Sequence, residues 1–273
     1  MKNKKLIIFS DLDGTLLDHN TYSFDAAKEA LNRIKERDIP LVLCSSKTRA
    51  EIEVWRTRLD NKAPFISENG GAVFIPDIQI LKERDSTNKD GYNVIELGIR
   101  YEELIKKFKD LKDTFGNKIR GFFEMEVDEL TDLTGLSKED AILAKKREYS
   151  EPFLFKGTNE DYNSLEKTTK RMNLNLTRGG RFVCLVGDND KGKAVNIISE
   201  IYKEKHPELK TIAIGDSYND ISMLQSVDIP VLVKKPKGGY ESIDDLSSIL
   251  FASQIGPNGW NEAILKILQH LAF

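Results

Sequence analysis

The stretch Leu6-Ile7-Ile8-Phe9-Ser10-Asp11-Leu12-Asp13-Gly14-Thr15 constrains this chain more than any other. Four apolar residues bounded by polar ones predict a short strand buried on both faces, as in a parallel sheet covered by helices. Asp11 and Asp13 stand two apart, so on extended backbone both carboxylates project the same way. Gly14 then lets the chain turn sharply without a Cβ penalty. Two carboxylates at the C-terminal end of a central strand lie where open α/β sheets bind ligands. Held that close, they call for a shared cation or proton. An EF-hand loop is excluded: counted from Asp11, the glycine position holds Leu16 and the closing glutamate position holds Tyr22.

Down the chain the pattern repeats. Ser23 is placed to cap a helix over about 24–37, and residues 39–44 read as a second buried strand ending in Ser45-Ser46-Lys47. Thr48 and Glu51 form a T-x-x-E capping box that starts the next helix. Residues 64–67 and 72–75 read as further strands around Glu68-Asn69-Gly70-Gly71. Residues 82–91 are polar and turn-rich, which sets a boundary there. The segment that follows mixes strands at about 94–97, 119–123 and 152–155 with helices at 101–115 and 161–171, and ends in a hairpin around Gly179-Gly180. The strand–helix alternation returns at Asp188, with a helix over 191–205 and strands at 211–214 and 229–233. The expected fold class is α/β: a Rossmann-like parallel-sheet core, residues 1–82 and 188–273, with an α+β unit, residues 83–187, inserted between its halves.

Composition narrows the function. Lys+Arg number 41 against 44 Asp+Glu, a net charge of −3, which speaks against a nucleic-acid binder. The two cysteines, Cys44 and Cys184, sit in apolar runs, so a disulfide framework is excluded. His19, His206 and His270 show no metal-ligand spacing. No apolar run approaches membrane-spanning length, and the one after Lys5 is too short for a signal-peptide core, so a cytoplasmic protein without membrane partners is expected.

Three parallel strands end in chemically loaded loops: Asp11/Asp13, Ser45/Ser46/Lys47 and Asp216/Asn219/Asp220. Carboxylates without histidine or thiolate form a hard-oxygen set suited to Mg²⁺. Serine, lysine and asparagine are donors suited to phosphate oxygens. The residues thus point to Mg²⁺-assisted phosphoryl transfer, in which a protein mainly positions groups and neutralises charge. Gly187 to Ala194 nearly spells a P-loop, but Ala194 replaces the metal-binding hydroxyl, and Asp188 and Asp190 would repel a triphosphate.

D-L-D-G-T at 11–15, the strand ending in Ser45, Lys191 before a helix and G-D-S-x-N-D at 215–220 together resemble the haloacid dehalogenase superfamily of phosphatases. The position of the insertion resembles the α/β cap of the Cof-like subgroup. That resemblance implies Asp11 as the nucleophile that accepts the phosphoryl group and Asp13 as general acid and later base. It implies a Mg²⁺ site from Asp11, Asp13 (through its carbonyl) and Asp216, with Asp220 and Asn219 in support. Ser45 and Lys191 would bind the phosphate, with Ser46 and Lys47 beside them. Ser45 to Glu51, Glu68 to Gly71, Arg147 to Phe153, Arg178 to Phe182 and Gly256 to Trp260 further resemble the mannosyl-3-phosphoglycerate phosphatase family. The implied substrate is a small phosphorylated sugar-glycerate, and the implied product is mannosylglycerate, a compatible solute. Its carboxylate needs cations beyond those of the core, and Arg147, Arg178 and Arg181 are the candidates. Glu68 and Asn69 are expected to face substrate, and Glu148 and Glu151 to accept sugar hydroxyls. Cys184 departs from a G-G-R-F-x-H pattern, which leaves the glucosyl analogue or a general sugar phosphatase as alternatives, ahead of a phosphomannomutase or a silent phosphosugar binder.

Overall fold

A computed structural model describes residues 5–76, 85–179, 182–243 and 248–270. The opening stretch forms β1 (Leu6–Ser10), buried throughout. After α1 (Lys28–Glu36) comes β2 (Leu41–Cys44), also fully buried. α2 (Arg49–Arg58) begins at the capping box: Glu51 N donates to Thr48 Oγ1 at 3.1 Å, and Thr48 N donates to the Glu51 carboxylate at 2.8 Å. β3 (Phe65–Ser67) and β4 (Ala72–Ile75) pair antiparallel. β5 (Thr87–Lys89) and β6 (Tyr92–Glu96) follow, then α3 (Tyr101–Phe115), β7 (Ile119–Gly121), α4 (Val127–Thr134) and α5 (Lys138–Ala144). β8 (Ser150–Phe155), α6 (Asn159–Arg171), β9 (Asn175–Gly179) and β10 (Phe182–Val186) complete the insertion. The chain closes with α7 (Lys191–Lys205), β11 (Lys210–Gly215), α8 (Ile221–Gln225), β12 (Ile229–Lys234), β13 (Leu250–Ile255) and α9 (Gly256–His270).

Among the described residues the larger sheet runs β13-β12-β11-β1-β2-β3-β4-β6-β5, parallel from β13 to β3 and antiparallel beyond. Strand alternation divides its core. Leu6 and Ile8 of β1 and Leu41 and Leu43 of β2 pack on the face covered by α1, α2 and α9. Ile7, Phe9, Val42 and Cys44 pack on the other face, under α7 and α8. Cys44 is therefore a core hydrophobe.

The larger sheet includes strands that follow residue 82, where the sequence sets a boundary. β6 hydrogen-bonds to β4 from Ala72↔Glu96 to Ile75↔Asn93, which carries the larger sheet to Glu96. β5 and β6 are joined at Asp90-Gly91, both with positive φ (51° and 82°), the geometry of a tight two-residue hairpin turn. β5 is a polar edge strand, so no apolar alternation marks it in the sequence.

The smaller sheet runs β7-β8-β10-β9, antiparallel throughout. α3 and α6 cover one face through Leu104, Phe108, Leu165, Phe153 and Val183. On the opposite face Leu154 and Phe182 pack against α4 and α5, and the rest of that face looks toward the larger sheet.

Candidate active site

β1 lies between β11 and β2, so the loops after these three strands emerge side by side at the C-terminal edge of the sheet. Asp11 N donates to Ile214 O at 3.0 Å, and Ser45 N donates to Ile66 O at 3.1 Å. Trp260 Nε1 donates to Ser10 Oγ at 3.0 Å, and that hydroxyl donates to Asp11 O at 2.7 Å, so α9 fixes the backbone at Asp11. Gly14 has φ +76°, and a Cβ there would lie 3.0 Å from Asp216 Oδ2. Only glycine lets the Asp11 loop turn this close to Asp216.

Lys191, the first residue of α7, is the electrostatic centre. Its Nζ lies 2.7 Å from Asp11 Oδ1 and 2.6 Å from Asp220 Oδ1, with its side chain wholly buried. α7 reaches this position because Gly192 packs against α8; a Cβ there would lie 2.5 Å from Ser222 O. Asp220 Oδ2 accepts from the backbone N–H groups of Asp216 and Ser217 at 3.0 and 3.1 Å. Both Asp220 oxygens are thus engaged in positioning the loop and the lysine. Burial raises the Asp11 carboxyl well above the usual range; Lys191 pulls it back, and Asp220, Asp216 and Asp13 push it up further. Burial, reinforced by Asp220, pushes the Asp216 carboxyl up to about 7. Burial opposes the charge on Lys191, but Asp11 and Asp220 outweigh it and hold the ammonium well above its ordinary range.

Asp11, Asp216 and Asp220 offer oxygens within 4.8 Å of one another. Three carboxylates face one lysine here. The unrelieved repulsion and the all-oxygen donor set fit a divalent metal ion. The Asp13 carboxylate stands apart from this group. Its Oδ2 pairs with Lys47 Nζ at 2.9 Å, and its buried Oδ1 has no hydrogen-bond partner among the described residues. Lys47 is buried between Asp13 and Glu51, 3.7 Å from the latter, and lies over the Tyr22 ring. Lys47 thus grips Asp13, whereas the sequence reading grouped it with the phosphate ligands.

Asp11, Asp13 and Asp216 open onto a cleft of about 580 Å³ between the larger sheet and the inserted unit. Arg147 reaches it from the loop after α5, and its Nη1 donates to Ser46 O at 2.8 Å. Ser46 lines the cleft as well, while Ser45 is buried with its Oγ accepting from Lys47 N at 3.3 Å. Asn219 Nδ2 donates to Asn69 Oδ1 at 3.1 Å, which joins the third loop to the loop before β4.

Other expectations are corrected. Glu68 is wholly buried and does not face the cleft. Its carboxylate accepts from Glu148 N (2.8 Å), Tyr149 N (3.1 Å) and Ser150 Oγ (2.6 Å), bolting the inserted unit to the larger sheet. Glu148 pairs with Arg49 and Lys89, and Glu151 is buried beneath Tyr101 Oη (2.7 Å) and Phe123 N (3.1 Å). Arg178 is exposed and stacked 3.9 Å from the Tyr162 ring centroid, on the helix-covered face of its sheet. Arg181 lies outside the described residues. Tyr22, Phe122 and Leu136, which the sequence reading does not mark as site residues, wall the cleft together with Phe182. For Tyr22 the signal was proximity to Asp13; for the others no local signal exists, because their approach depends on how the inserted unit docks.

A family model of haloacid dehalogenase-like hydrolases matches residues 8–237. The chain belongs to the haloacid dehalogenase-like hydrolases. It is similar to a glucosyl-3-phosphoglycerate/mannosyl-3-phosphoglycerate phosphatase of Methanococcoides burtonii, 47% identical over 97% of each chain. It is also similar to the mannosyl-3-phosphoglycerate phosphatase of Pyrococcus horikoshii, 36% identical over 89% of this chain and 96% of the relative. A solved phosphatase of the haloalkanoate enzyme superfamily from Bacteroides thetaiotaomicron shares the fold, with a TM-score of 0.68, 18% identity, and 99% and 96% of the two chains covered. The likeness read from the motifs is borne out. No helix among the described residues is long and apolar enough to cross a membrane.

Proposed function

We propose that this chain hydrolyses the phosphate monoester of mannosyl-3-phosphoglycerate or its glucosyl analogue, releasing the sugar-glycerate and phosphate. The observation that carries the reading is the buried Asp11–Lys191–Asp220 network beside Asp216, opening onto a roofed cleft in a chain with relatives of that named activity. Lys191 holds Asp11 Oδ1, which leaves Oδ2 to attack phosphorus and form an acyl phosphate as the sugar-glycerate oxygen departs. Asp13 Oδ1, unpartnered among the described residues, carries the proton to that departing oxygen; the same carboxylate then takes a proton from the water that cleaves the acyl phosphate. Lys47 fixes the other Asp13 oxygen. Asp11 and Asp216 would hold Mg²⁺, with Asp220 orienting the loop. The ion would neutralise phosphate charge. The inserted unit, from about residue 97 to 187, serves as the cap that excludes water and reads the remainder of the substrate.

Glucosyl activity is kept as a second reading, because Cys184, at the position of the histidine in the G-G-R-F-x-H pattern, lines the small space beside the cleft. The test is phosphate release from both substrates side by side in Mg²⁺, with Asp11→Asn as control. Release from either, lowered at least about 10⁴-fold in the control, supports the reading. Release only from simple hexose phosphates would replace it with a general sugar phosphatase.

A further inference from the structure

Behind the main cleft lies an inner chamber of about 120 Å³, between the open face of the smaller sheet and the loops of the larger one. Ser46, Arg147 and Asn219 line both spaces, so the chamber adjoins the cleft through them. The two differ in charge. Asp11, Asp13, Glu51 and Asp216 line the cleft together with Lys47, Arg147 and Lys235, whereas among the described residues Arg147 is the one charged side chain that lines the chamber.

The chamber also holds unused donors. Arg147 spends Nε on Ala144 O at 2.8 Å and Nη1 on Ser46 O at 2.8 Å. Its Nη2 makes no hydrogen bond with the described residues but pairs at 4.0 Å with Glu51 Oε2, and the buried guanidinium is also faced by the Glu68 and Glu151 carboxylates. Asn69 accepts through both its oxygens, from Asn219 and Asn189, and its side-chain Nδ2 makes no hydrogen bond with the described residues. The hydroxyl of Thr177 likewise makes none. A buried cation with donors to spare, in a space too small for a hexose, matches a carboxylate.

We propose that this inner chamber binds the carboxylate of the substrate's glycerate moiety through Arg147 Nη2, assisted by Asn69 Nδ2 and Thr177 Oγ1. This rests on the phosphatase reading above. Ser46 follows directly on the phosphate-side Ser45, so the carboxylate, whose carbon is separated from the phosphoester carbon by the glycosylated carbon, enters the chamber while the phosphate lies at Asp11. The sugar is then left to the cleft walled by Tyr22 and Leu136. Arg147 joins the inserted unit to Ser46, so the carboxylate binds where the two units meet.

The experiment compares kcat/KM for mannosyl-3-phosphoglycerate and its carboxyl methyl ester. The wild-type enzyme is expected to favour the free acid by about 10- to 100-fold, the range of charge-assisted hydrogen bonds. Arg147→Gln is expected to lower the acid far more than the ester, bringing the ratio near one, with the loss mainly in KM. Thr177→Val, nearly isosteric, is expected to narrow the ratio about two- to fivefold, and serves if the arginine variant does not fold. Equal losses on acid and ester, or a wild-type enzyme indifferent to esterification, would overturn the proposal while leaving the phosphatase reading intact. No release from either compound, beside activity on hexose phosphates, would overturn both.

Discussion

Asp216 gives the sharpest quantitative prediction. Its carboxyl is pushed up to about 7 by burial and by Asp220, against about 3.9 for a free aspartate. That difference corresponds to about 4 kcal/mol that the ionised form costs the folded, metal-free protein above pH 7. Between these two values the folded state binds a proton that the unfolded state does not, so this group makes stability rise as pH falls. From pH 8 to pH 6 the gain is on the order of 1 kcal/mol. Asp11, also raised, acts in the same direction. Asp216→Asn keeps the shape and the acceptor for Thr15 Oγ1, 3.3 Å away, without the charge. In chelator at pH 8 this variant is expected to exceed the wild type by about 2–4 kcal/mol, or roughly 5–10 °C in Tm. Mg²⁺ is expected to stabilise the wild type more at pH 8 than at pH 6, because protons compete for the same oxygens, and to do little for the variant. Thermal and urea unfolding from pH 6 to 8, with and without Mg²⁺, measure all of this. An Asn variant less stable than wild type in chelator at pH 8 would refute the reasoning, as would a Mg²⁺ effect independent of pH.

Two further substitutions test the supports of the site. Lys191→Met leaves Asp11 and Asp220 facing each other in the interior without their cation; a loss of about 3–5 kcal/mol in metal-free stability and of about 10³-fold in kcat is expected, read by urea titration and phosphate release. Full activity in that variant would remove Lys191 from the mechanism. Glu68→Gln disrupts the carboxylate that receives three hydrogen bonds from residues 148–150; a cost of about 2–4 kcal/mol is expected, with faster hydrogen exchange at Glu148 and Tyr149 than in the wild type. Unchanged exchange there would mean the bolt is not holding.

Much of the core was legible because its signals are local. The apolar run of β1 and the capping box at Thr48 need only neighbouring residues. The strand-end position of Asp11, Ser45 and Asp216 follows from the parallel alternation alone. β13 was missed for a physical reason: it is a mostly exposed edge strand with a register shift against β12, so burial leaves no pattern on it. The hairpin of β5 and β6 could have been read from Asp90-Gly91, but its polar strand resembles a linker. Glu68 misled because a buried carboxylate on backbone N–H groups and one aimed at substrate look the same until the inserted unit is in place.

The three candidate arginines show where sequence reading needed one more step. Arg178 and Thr177 are neighbours on β9, and strand parity sends them to opposite faces. Arg178 is in register with Val183, which packs under α3 and α6, so its side chain joins Tyr162 there. Thr177 is in register with Cys184, which is in turn in register with Pro152 on β8, and all three line the inner chamber. The alternation in Phe182-Val183-Cys184-Leu185 carries this information, since the two buried aliphatic residues mark the helix face. Pairing them across the hairpin excludes Arg178 and selects Thr177 from the residue order alone. Arg147 escapes such a rule because it precedes β8 and is placed by tertiary contacts, Ala144 O on one side and Ser46 O on the other. The same contacts would favour the proposed ligand: a guanidinium held at two donors is already ordered, so little ordering entropy is left to lose on binding.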